Sequence, residues 1–294
     1  MSDMSKSHQG QLGRFRCSVV IPAYNAEQWI ERTVDSALAQ SMTDREVIVV
    51  DDGSTDRTAD LLRRYGSAIT LLEQENAGVA AARNAGCRVA SSDHLAFLDA
   101  DDVWEPGKLA RQMAVFEEDP ALVLVHCGVV MIDAEDQPLD GTIIRGMRGA
   151  VHRNLLLQEA VISGGGSGAV YARWAFESVG GFDERFSTSA DWYLWLRITS
   201  LGPVAMVDEP LLRYRIHDSN MHANVDAERT DMFRGIREAI NDDPVAASVA
   251  NRALAKCHRT IAGGYWNKRR LLRFLWHFVA AVVREPSSLR TKLS

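Results

Sequence analysis

Residues 17–40 read CSVVIPAYNAEQWIERTVDSALAQ, an apolar run followed by a helical pattern. The run at 17–22 is mostly apolar, as is typical of a β-strand buried on both faces of a sheet. Asn25, followed three residues later by Gln28, predicts the N-terminal cap of a helix. In that helix, side chains recur every four residues and predict one buried stripe: Trp29/Ile30, Thr33/Val34 and Ala37/Leu38. A strand that leads into an amphipathic helix is typical of α/β domains.

The same alternation of strands and helices continues to about residue 100. We predict strands at 46–50, 68–72 and 94–98, separated by helices at 56–65 and 78–90. Alternation of this kind indicates a doubly wound, mostly parallel sheet flanked by helices.

Beyond residue 103 the pattern is less regular. A helix that begins near Pro106 and a strand at 121–131 precede a loop-rich stretch to about residue 160. The glycines at 164–168 predict a flexible turn. We then predict helices at 172–179 and 190–200, extended chain at 203–216, and mostly helix from 225. The expected fold class is therefore α/β with a helical C-terminal extension at 225–294, preceded by a flexible polar tail at 1–14.

Composition narrows the functional classes. The chain has 294 residues, 46% of them hydrophobic and 24% charged, which is ordinary for a globular protein and excludes a disordered or collagen-like chain. A net charge of −6 gives no indication of a surface for nucleic acid. Four cysteines lie far apart in the sequence, which fits a reducing compartment. Because we find neither a secretion signal at 1–14 nor an apolar run of about 18 residues, we expect a cytoplasmic protein without a membrane span.

Acidic side chains follow two of the predicted strands at the point where each strand ends. Asp51 and Asp52 follow the second strand, and Asp99, Asp101 and Asp102 follow the fourth. Ligands of doubly wound sheets bind at the carboxyl ends of the strands, and clustered carboxylates repel one another unless a cation offsets their charge. We therefore expect a divalent cation at this edge. The alternative is a solvated acidic loop in which one aspartate caps the next helix.

A phosphate group bound at this edge needs positive charge or N–H donors. The sequence contains no G-x-x-x-x-G-K-[ST] loop, and a G-x-G-x-x-A match at 164–169 lies outside a strand–turn–helix unit. Arg83 and Arg215 are the candidate phosphate ligands, and a surface salt bridge is the alternative for each. Tyr24 is a candidate for stacking on a base, with a half-buried surface aromatic as its alternative.

Six stretches of the chain, taken in order, resemble the family 2 glycosyltransferases with the GT-A fold. They cover about residues 17–220: VVIPAYNAEQWIERTVDSALAQ, EVIVVDDGSTDRT, ENAGVAAARNAG, FLDADDVWEPGKL, GGFDERF followed by SADWYLWLR, and YRIHDSN. The resemblance implies a GT-A domain at 15–224, with a nucleotide-binding half at about 15–103 and an acceptor half at about 104–224. It also implies an inverting transferase that uses a nucleotide-diphosphate sugar and Mg²⁺ or Mn²⁺.

The resemblance also implies roles for individual residues. Asp191 matches the acidic residue that acts as catalytic base, although many relatives have Glu-Asp where this chain has Ala190-Asp191, a difference that bears on acceptor contacts. The implied metal ligands are Asp101, Asp102 and His217. The implied donor-binding residues are Pro22, Tyr24 and Glu27 beside the nucleotide, Asp52 at the base, Arg83 near the base or diphosphate, Asp99 of the D-x-D pair with Asp101, and Arg215 near the diphosphate.

The expected reaction moves a sugar, from a UDP-sugar in preference to a dTDP- or GDP-sugar, to a hydroxyl of a carbohydrate or lipid-linked acceptor. The product would belong to a polysaccharide, a glycolipid or a cell-envelope glycan. Two alternatives stay open: a sugar nucleotidyltransferase, and a catalytically silent module that binds nucleotide sugars. The first is disfavoured because nucleotidyltransferases usually have a glycine-rich basic loop after the first strand, where this chain reads IPAYNAEQW.

The C-terminal helices combine aromatic and basic side chains. Apolar residues at 266–278 alternate with basic ones: Trp266, Leu271, Leu275, Trp276 and Phe278 with Lys268, Arg269, Arg270 and Arg273. Such a stretch indicates either peripheral contact with the inner face of a membrane or packing against the catalytic domain or a second subunit of a homo-oligomer. The apolar run at 271–283 is too short to span a bilayer.

Overall fold

The computed structural model describes residues 16–217 and 225–286. The predicted tail at 1–14, the last three residues of YRIHDSN and the predicted boundary at residue 224 lie outside the described residues.

The first half of the chain follows the predicted alternation. Its elements are β1 (Cys17–Ala23), α1 (Ile30–Leu38), β2 (Arg45–Asp51), α2 (Thr58–Arg63), β3 (Thr70–Glu73), α3 (Val79–Val89), β4 (His94–Phe97), β5 (Val103–Trp104) and α4 (Lys108–Glu118). The prediction that Asn25 caps the first helix is wrong. Asn25 has a φ of 49°, α1 begins five residues later, and the Asn25 carboxamide oxygen accepts a hydrogen bond from the Thr55 amide at 2.8 Å.

The second half contains more regular structure than the sequence indicates. Its elements are β6 (Leu124–Ile132), β7 (Pro138–Ile144), α5 (His152–Leu156), β8 (Val170–Ala172), α6 (Arg173–Ser178), α7 (Ala190–Ile198), β9 (Val204–Arg215), α8 (Val225–Asp242), α9 (Pro244–Ser248), α10 (Ala250–Asn267) and α11 (Leu271–Arg284). Strand β7 and helix α5 fall in the stretch predicted to be loop-rich. The glycines at 164–168 do not form a loose turn, because Gly166, Ser167 and Gly168 are buried in a 3₁₀ turn.

A nine-stranded mixed sheet confirms the expected α/β class. Its strand order is β3-β2-β1-β4-β8-β6-β9-β5, with β7 paired to β6. Strands β3, β2, β1 and β4 are parallel, whereas β8 pairs antiparallel with both β4 and β6. The sequence pattern does not indicate these antiparallel pairs.

The parallel strands bring the loops of the predicted site to one edge. Ala23 pairs with Asp51, and Val20 pairs with Phe97, so β1, β2 and β4 reach the same edge at their carboxyl ends. Close packing of α3 against this sheet requires a glycine at position 86, because a Cβ there would lie 2.4 Å from the Val20 side chain.

Two of the C-terminal helices, α8 and α10, pack against the domain that contains the sheet. Buried residues of α8 and α10, among them Ile236, Cys257 and Ile261, belong to the same hydrophobic cluster as the sheet. Among the described helices, none combines the length and apolar character needed to cross a membrane.

Candidate active site

A cavity of about 850 Å³ opens at the carboxyl ends of the parallel strands. It is lined by eight of the residues singled out in the sequence: Pro22, Tyr24, Asp52, Arg83, Asp99, Asp101, Asp191 and His217. The other three, Glu27, Asp102 and Arg215, lie next to the lining residues but do not form part of it. The structure therefore gathers segments from β1 to α7, as expected from a sheet with its ligand site at one edge.

Arg83 lies at the centre of this cavity wall. Its side chain is 2% exposed, and its Nη1 donates to Asp191 Oδ1 at 2.9 Å while its Nη2 donates to Asp99 Oδ1 at 2.5 Å. Burial alone would lower the pKa of Arg83, but the carboxylates of Asp191 and Asp99 raise it, so the guanidinium is charged. One buried cation thus joins two acidic residues that lie 92 positions apart in the sequence.

The space beside this guanidinium exists because residue 166 is glycine. A Cβ at that position would lie 2.7 Å from Arg83 Nη2 and 3.3 Å from Asp191 Oδ1. Ser167 supports the same region, since its hydroxyl accepts the Asp99 amide at 3.0 Å. The glycine-rich segment at 164–168 is thus part of the structural support of the acidic residues.

The acidic loop after β4 holds its carboxylates at different depths. Asp101 Oδ2 lies 2.9 Å from His217 Nε2, and burial together with the nearby Asp99 raises the pKa of Asp101. Asp102 is 1% exposed, its Oδ1 accepts the Arg215 amide at 2.9 Å, and burial raises its pKa well above the usual value. Only Asp101 of this pair lines the cavity.

The donor set of this loop fits a divalent cation that is completed by phosphate oxygens. No group of three or more His, Cys, Asp or Glu side chains within 16–217 and 225–286 is arranged to hold a metal alone. Mg²⁺ needs no such group when one or two carboxylates and a substrate diphosphate supply its ligands. Asp101 and His217 offer an oxygen and a nitrogen donor on the cavity wall, and the unfavourable burial of the Asp101 charge is what a bound cation would relieve.

Arg215 anchors the acidic loop from behind the cavity. Its side chain is fully buried, its Nε donates to the Asp101 carbonyl at 2.7 Å, its Nη1 donates to the Asp133 carbonyl at 2.9 Å, and it forms an ion pair with Asp136. Burial lowers the pKa of Arg215. The expected contact of Arg215 with a diphosphate stays a prediction.

Asp52 organises the opposite end of the cavity. Its Oδ1 accepts the Gln74 carboxamide at 2.7 Å and the Ala77 amide at 2.9 Å, while its Oδ2 accepts the Gly78 amide at 2.8 Å. The carboxylate thereby fixes the turn that precedes α3. Tyr24, more than half exposed, lines the same end. Glu27 pairs with Arg57 at 3.0 Å and so fixes the loop after β2.

Several lining residues escaped the sequence analysis. The ring of Trp29 stacks on His217 with a centroid separation of 4.2 Å. The segment 187–189 before α7 contributes three lining side chains, and the C-terminal helices contribute Glu228, Met232 and Thr260. Only the sequence position of Trp29, close after the first strand, gave a signal that could have found it.

Asp231 of α8 links the C-terminal helices to this site. It is 3% exposed, and its Oδ2 accepts the backbone amides of Ser187, Thr188 and Ser189 at 2.9, 3.0 and 3.2 Å. These amides lie at the start of α7, where a carboxylate acceptor is favourable. Asp191 lies in the first turn of α7. Asp231 therefore fixes the segment that leads into Asp191, the residue that also contacts Arg83.

The sequence model described as Glycosyl transferase family 2 matches residues 18–180, more than half of the chain. The chain belongs to this family. A glycosyl-transfer role follows at the level of the family, and the matched range includes every lining residue from Pro22 to Gly165.

Among relatives of this family 2 chain, the chondroitin synthase of Escherichia coli is 28% identical over 228 residues, which is 76% of this chain and 32% of the synthase. The chain thus spans about a third of that protein's length. Asp191 and the C-terminal helices lie beyond the family match, although within the range of the structural similarities below.

Two solved structures share the fold of the family 2 chain. Staphylococcus aureus TarS 1–349 in complex with UDP-GlcNAc has a TM-score of 0.65 and 15% identity, covering 94% of this chain and 92% of that one. The mannosyltransferase PcManGT from Pyrobaculum calidifontis, in complex with GDP-Man and Mn²⁺, has a TM-score of 0.63 and 22% identity, covering 95% and 76%. Both are similar in fold, so the expected GT-A class is confirmed with its C-terminal helices.

Proposed function

We propose that the protein is an inverting, divalent-cation-dependent glycosyltransferase that moves a sugar from a nucleotide-diphosphate sugar to a hydroxyl acceptor. The proposal rests on one observation. A single buried guanidinium holds Asp99, the first acid of the D-x-D pair, and Asp191, the candidate base, on one wall of an open cavity. This arrangement supports the proposal that donor-side and acceptor-side groups act on the same bound sugar.

A UDP-sugar is the donor that we favour. TarS, which shares the fold over nearly the whole chain, is in complex with UDP-GlcNAc, whereas PcManGT is in complex with GDP-Man. In this chain the base would lie between Tyr24 and the turn held by Asp52, and the diphosphate would extend toward Asp99 and Asp101. The cavity volume of about 850 Å³ supports an extended ligand with both parts.

Asp191 is the proposed base. About a quarter of its side chain is exposed to the cavity, and the Arg83 contact keeps the carboxylate oriented. As the acceptor oxygen forms its bond to the anomeric carbon, Asp191 takes the hydroxyl proton, and the bond between that carbon and the diphosphate oxygen breaks with its electron pair. Attack from the side opposite the leaving group inverts the anomeric centre.

The cation would be held by Asp101 and His217, with Asp102 as a deeper support of the loop. When bound, it supplies positive charge that stabilises the departing diphosphate. Arg83 holds Asp99 in place, Arg215 fixes the backbone that carries Asp101, and the stacked Trp29 orients the imidazole of His217. These residues position the acidic groups before substrate arrives.

The acceptor is proposed to enter over α7 and the C-terminal helices. This wall combines hydroxyl, carboxamide and carboxylate groups, as a sugar hydroxyl would require: Gln158, Glu159, Ser187, Thr188, Ser189, Glu228 and Thr260. The relative described as a chondroitin synthase supports a role in polysaccharide synthesis, with glycolipid or cell-envelope glycan as related products. Ala190 gives no carboxylate beside Asp191, and Glu228 on the same wall is a candidate to replace it.

The proposed site of action is the cytoplasm. The four cysteines, Cys17, Cys87, Cys127 and Cys257, are all free and buried, which supports a reducing compartment.

A thermal-shift screen of nucleotide sugars, with and without Mn²⁺, tests donor and cation together, because a bound ligand raises the unfolding temperature. We expect a UDP-sugar to give the largest shift and Mn²⁺ to increase it. Transfer to a hydroxyl acceptor is then followed by NMR of the anomeric proton, with Asp191→Asn as the inactive control that still binds donor.

The two alternatives predict different results in the same assays. A sugar nucleotidyltransferase would release pyrophosphate from a nucleoside triphosphate and a sugar phosphate. A catalytically silent module would bind the donor but would neither transfer its sugar nor slowly hydrolyse it. Retained anomeric configuration, or full turnover by Asp191→Asn, would refute the inverting mechanism.

A further inference from the structure

Helix α11 turns most of its apolar surface away from the protein. Its buried residues are His277 and Ala281, whereas large apolar side chains on the other face are at least half exposed: Leu271, Leu272, Leu275, Trp276, Val279 and Val283. Leu272 and Val283 are 85% and 71% exposed. The spacing of three and four residues places this set along one outer face of α11. An apolar patch of this extent marks an interaction surface.

The same helices carry an excess of positive charge in an acidic protein. The chain has a net charge of −6, yet residues 244–286 contain eight lysines and arginines and one acidic residue. That acid, Glu285, pairs with Arg252 and Arg259, and Asp226 of α8 pairs with Arg270 and Arg273. Lys268, Arg269 and Arg270 are exposed in the turn between α10 and α11, directly between Trp266 and Leu271. Basic residues flanking an exposed aromatic and aliphatic face are typical of helices that lie on anionic membranes.

A second basic feature adjoins the apolar face. A cavity of about 850 Å³ between α8, α10 and α11 is lined by four arginines, Arg229, Arg234, Arg237 and Arg284. Within residues 16–217 and 225–286, none of the four lies within 4.0 Å of a carboxylate oxygen, and the buried Nε of Arg229 has no hydrogen-bond partner.

The charges of this cavity are unbalanced. The acidic lining residue, Glu238, already accepts the Tyr193 hydroxyl at 2.7 Å and an Arg185 guanidinium at 3.0 Å. Trp276, which is 62% exposed, belongs both to the cavity lining and to the apolar face. Trp276 therefore connects the arginine cavity with the apolar face of α11.

We propose that α11 and the turn at 268–270 dock the protein in the plane of an anionic phospholipid bilayer, with the arginine cavity receiving a lipid phosphate. Charge complementarity selects this occupant. A second copy of the chain, packed face to face, would bring two clusters of arginine together, and the neighbouring acids Asp226 and Glu285 already pair with arginines of their own chain. An anionic bilayer instead matches both the apolar face and the positive charge.

The geometry favours an in-plane position. A helix of 14 residues extends about 21 Å, less than the roughly 30 Å of hydrocarbon in a bilayer. Docking through α11 would leave the donor cavity, on the sheet edge, open to solvent. A lipid-linked acceptor would then reach the active site along the surface formed by α8 and α10.

Sedimentation with vesicles tests the docking directly and needs no donor, acceptor or turnover, so its outcome is independent of the proposed reaction. The full chain is mixed with vesicles of phosphatidylcholine alone or with about one-third phosphatidylglycerol. We expect binding to the anionic vesicles only, weakened when salt rises from about 0.05 to about 0.5 M. The double variant Leu272→Gln/Val283→Gln should bind the anionic vesicles on the order of tenfold more weakly, or more weakly still.

Two further variants separate the contributions. Arg229→Gln/Arg284→Gln should also weaken binding to anionic vesicles. Inorganic phosphate should weaken binding no more than sodium chloride of the same ionic strength does, because the bilayer is the proposed partner. Leu139→Gln, a half-exposed residue of β7 far from these helices in sequence, is the matched control and should bind as the native chain does.

Each remaining outcome overturns the proposal. Equal binding to neutral and anionic vesicles would show that positive charge does not direct the docking. Absence of vesicle binding, together with a dimer that dissociates in Leu272→Gln/Val283→Gln, would make the face a subunit interface. If vesicle binding is absent and both the native chain and Leu272→Gln/Val283→Gln are monomers, the face does not dock to this partner. Unfolding temperatures of Leu272→Gln/Val283→Gln and Leu139→Gln should match the native value, since the substituted aliphatic residues are exposed.

Discussion

Replacement of Asp231 by alanine should both destabilise the protein and slow the transfer reaction. The buried carboxylate accepts three backbone amides, those of residues 187–189. A hydrogen bond to a charged acceptor contributes about 1.5–3 kcal/mol, and the three share one oxygen, so their contributions do not add. We expect Asp231→Ala to lower the free energy of unfolding by about 3–5 kcal/mol.

The effect on activity follows from the position of these amides. They immediately precede α7, which carries the proposed base Asp191 in its first turn, so their release allows Asp191 to shift. A displacement of about 1 Å lowers turnover on the order of 100-fold. The KM for the donor should change little, because Asp52 and the acidic loop after β4 have no contact with Asp231 in the described residues.

Urea unfolding followed by circular dichroism gives the stability, and steady-state kinetics give kcat and KM separately. Asp231→Asn keeps one acceptor oxygen without its charge, so it should show an intermediate loss. Asp242→Asn removes an exposed carboxylate from the end of the same helix and is the matched control. Wild-type kcat in a folded Asp231→Ala protein would refute the claim that α8 positions the base.

Three further changes test other residues, two that line the site and one that is buried elsewhere in the protein. Arg83→Lys keeps the charge but not the planar pair of donors, so kcat should fall on the order of 100-fold. The control Arg88→Lys, on the exposed face of α3, should have no effect. Equal activity of the two variants would contradict the bridging role of Arg83. Asp52→Asn places an amide group against backbone N–H donors, so stability should fall by about 1–3 kcal/mol and the donor KM should rise; unchanged donor binding would show that this turn is not part of the donor site. Burial lowers the pKa of His126 from 6.5 to about 4, so the unfolded chain binds the extra proton first and stability should fall by about 2 kcal/mol as pH drops from about 7.5 to about 5. The variant His126→Gln should lose this part of the pH dependence in urea titrations, and an unchanged slope would contradict the assignment.

The sequence was sufficient for the features that depend on local pattern. Apolar runs with short helices between them predicted β1, β2 and β4, and the acidic residues after β2 and β4 then had to meet at one edge. The roles of the individual site residues stay predictions, although eight of the eleven line one cavity.

The remaining features depend on contacts between distant residues, which leave no local signal. The Arg83 contact with Asp191 spans 108 positions, and Asp231 reaches residues more than 40 positions earlier. Strand β7 was missed because its residues PLDGTII are mostly exposed and lack the alternation of a half-buried strand. Asn25 carries a capping residue type, but its side chain binds the neighbouring loop after β2 instead of a helix terminus.

The shared guanidinium of Arg83 has a consequence for anyone who wishes to retarget this enzyme. A change in the pocket that displaces Asp99 would also act on Asp191, because both carboxylates bind the same guanidinium. With the roles proposed above, donor selectivity and turnover could not be tuned independently. Libraries that randomise one acidic position should vary residues 83 and 166 as well, because the space beside the guanidinium is set by a glycine.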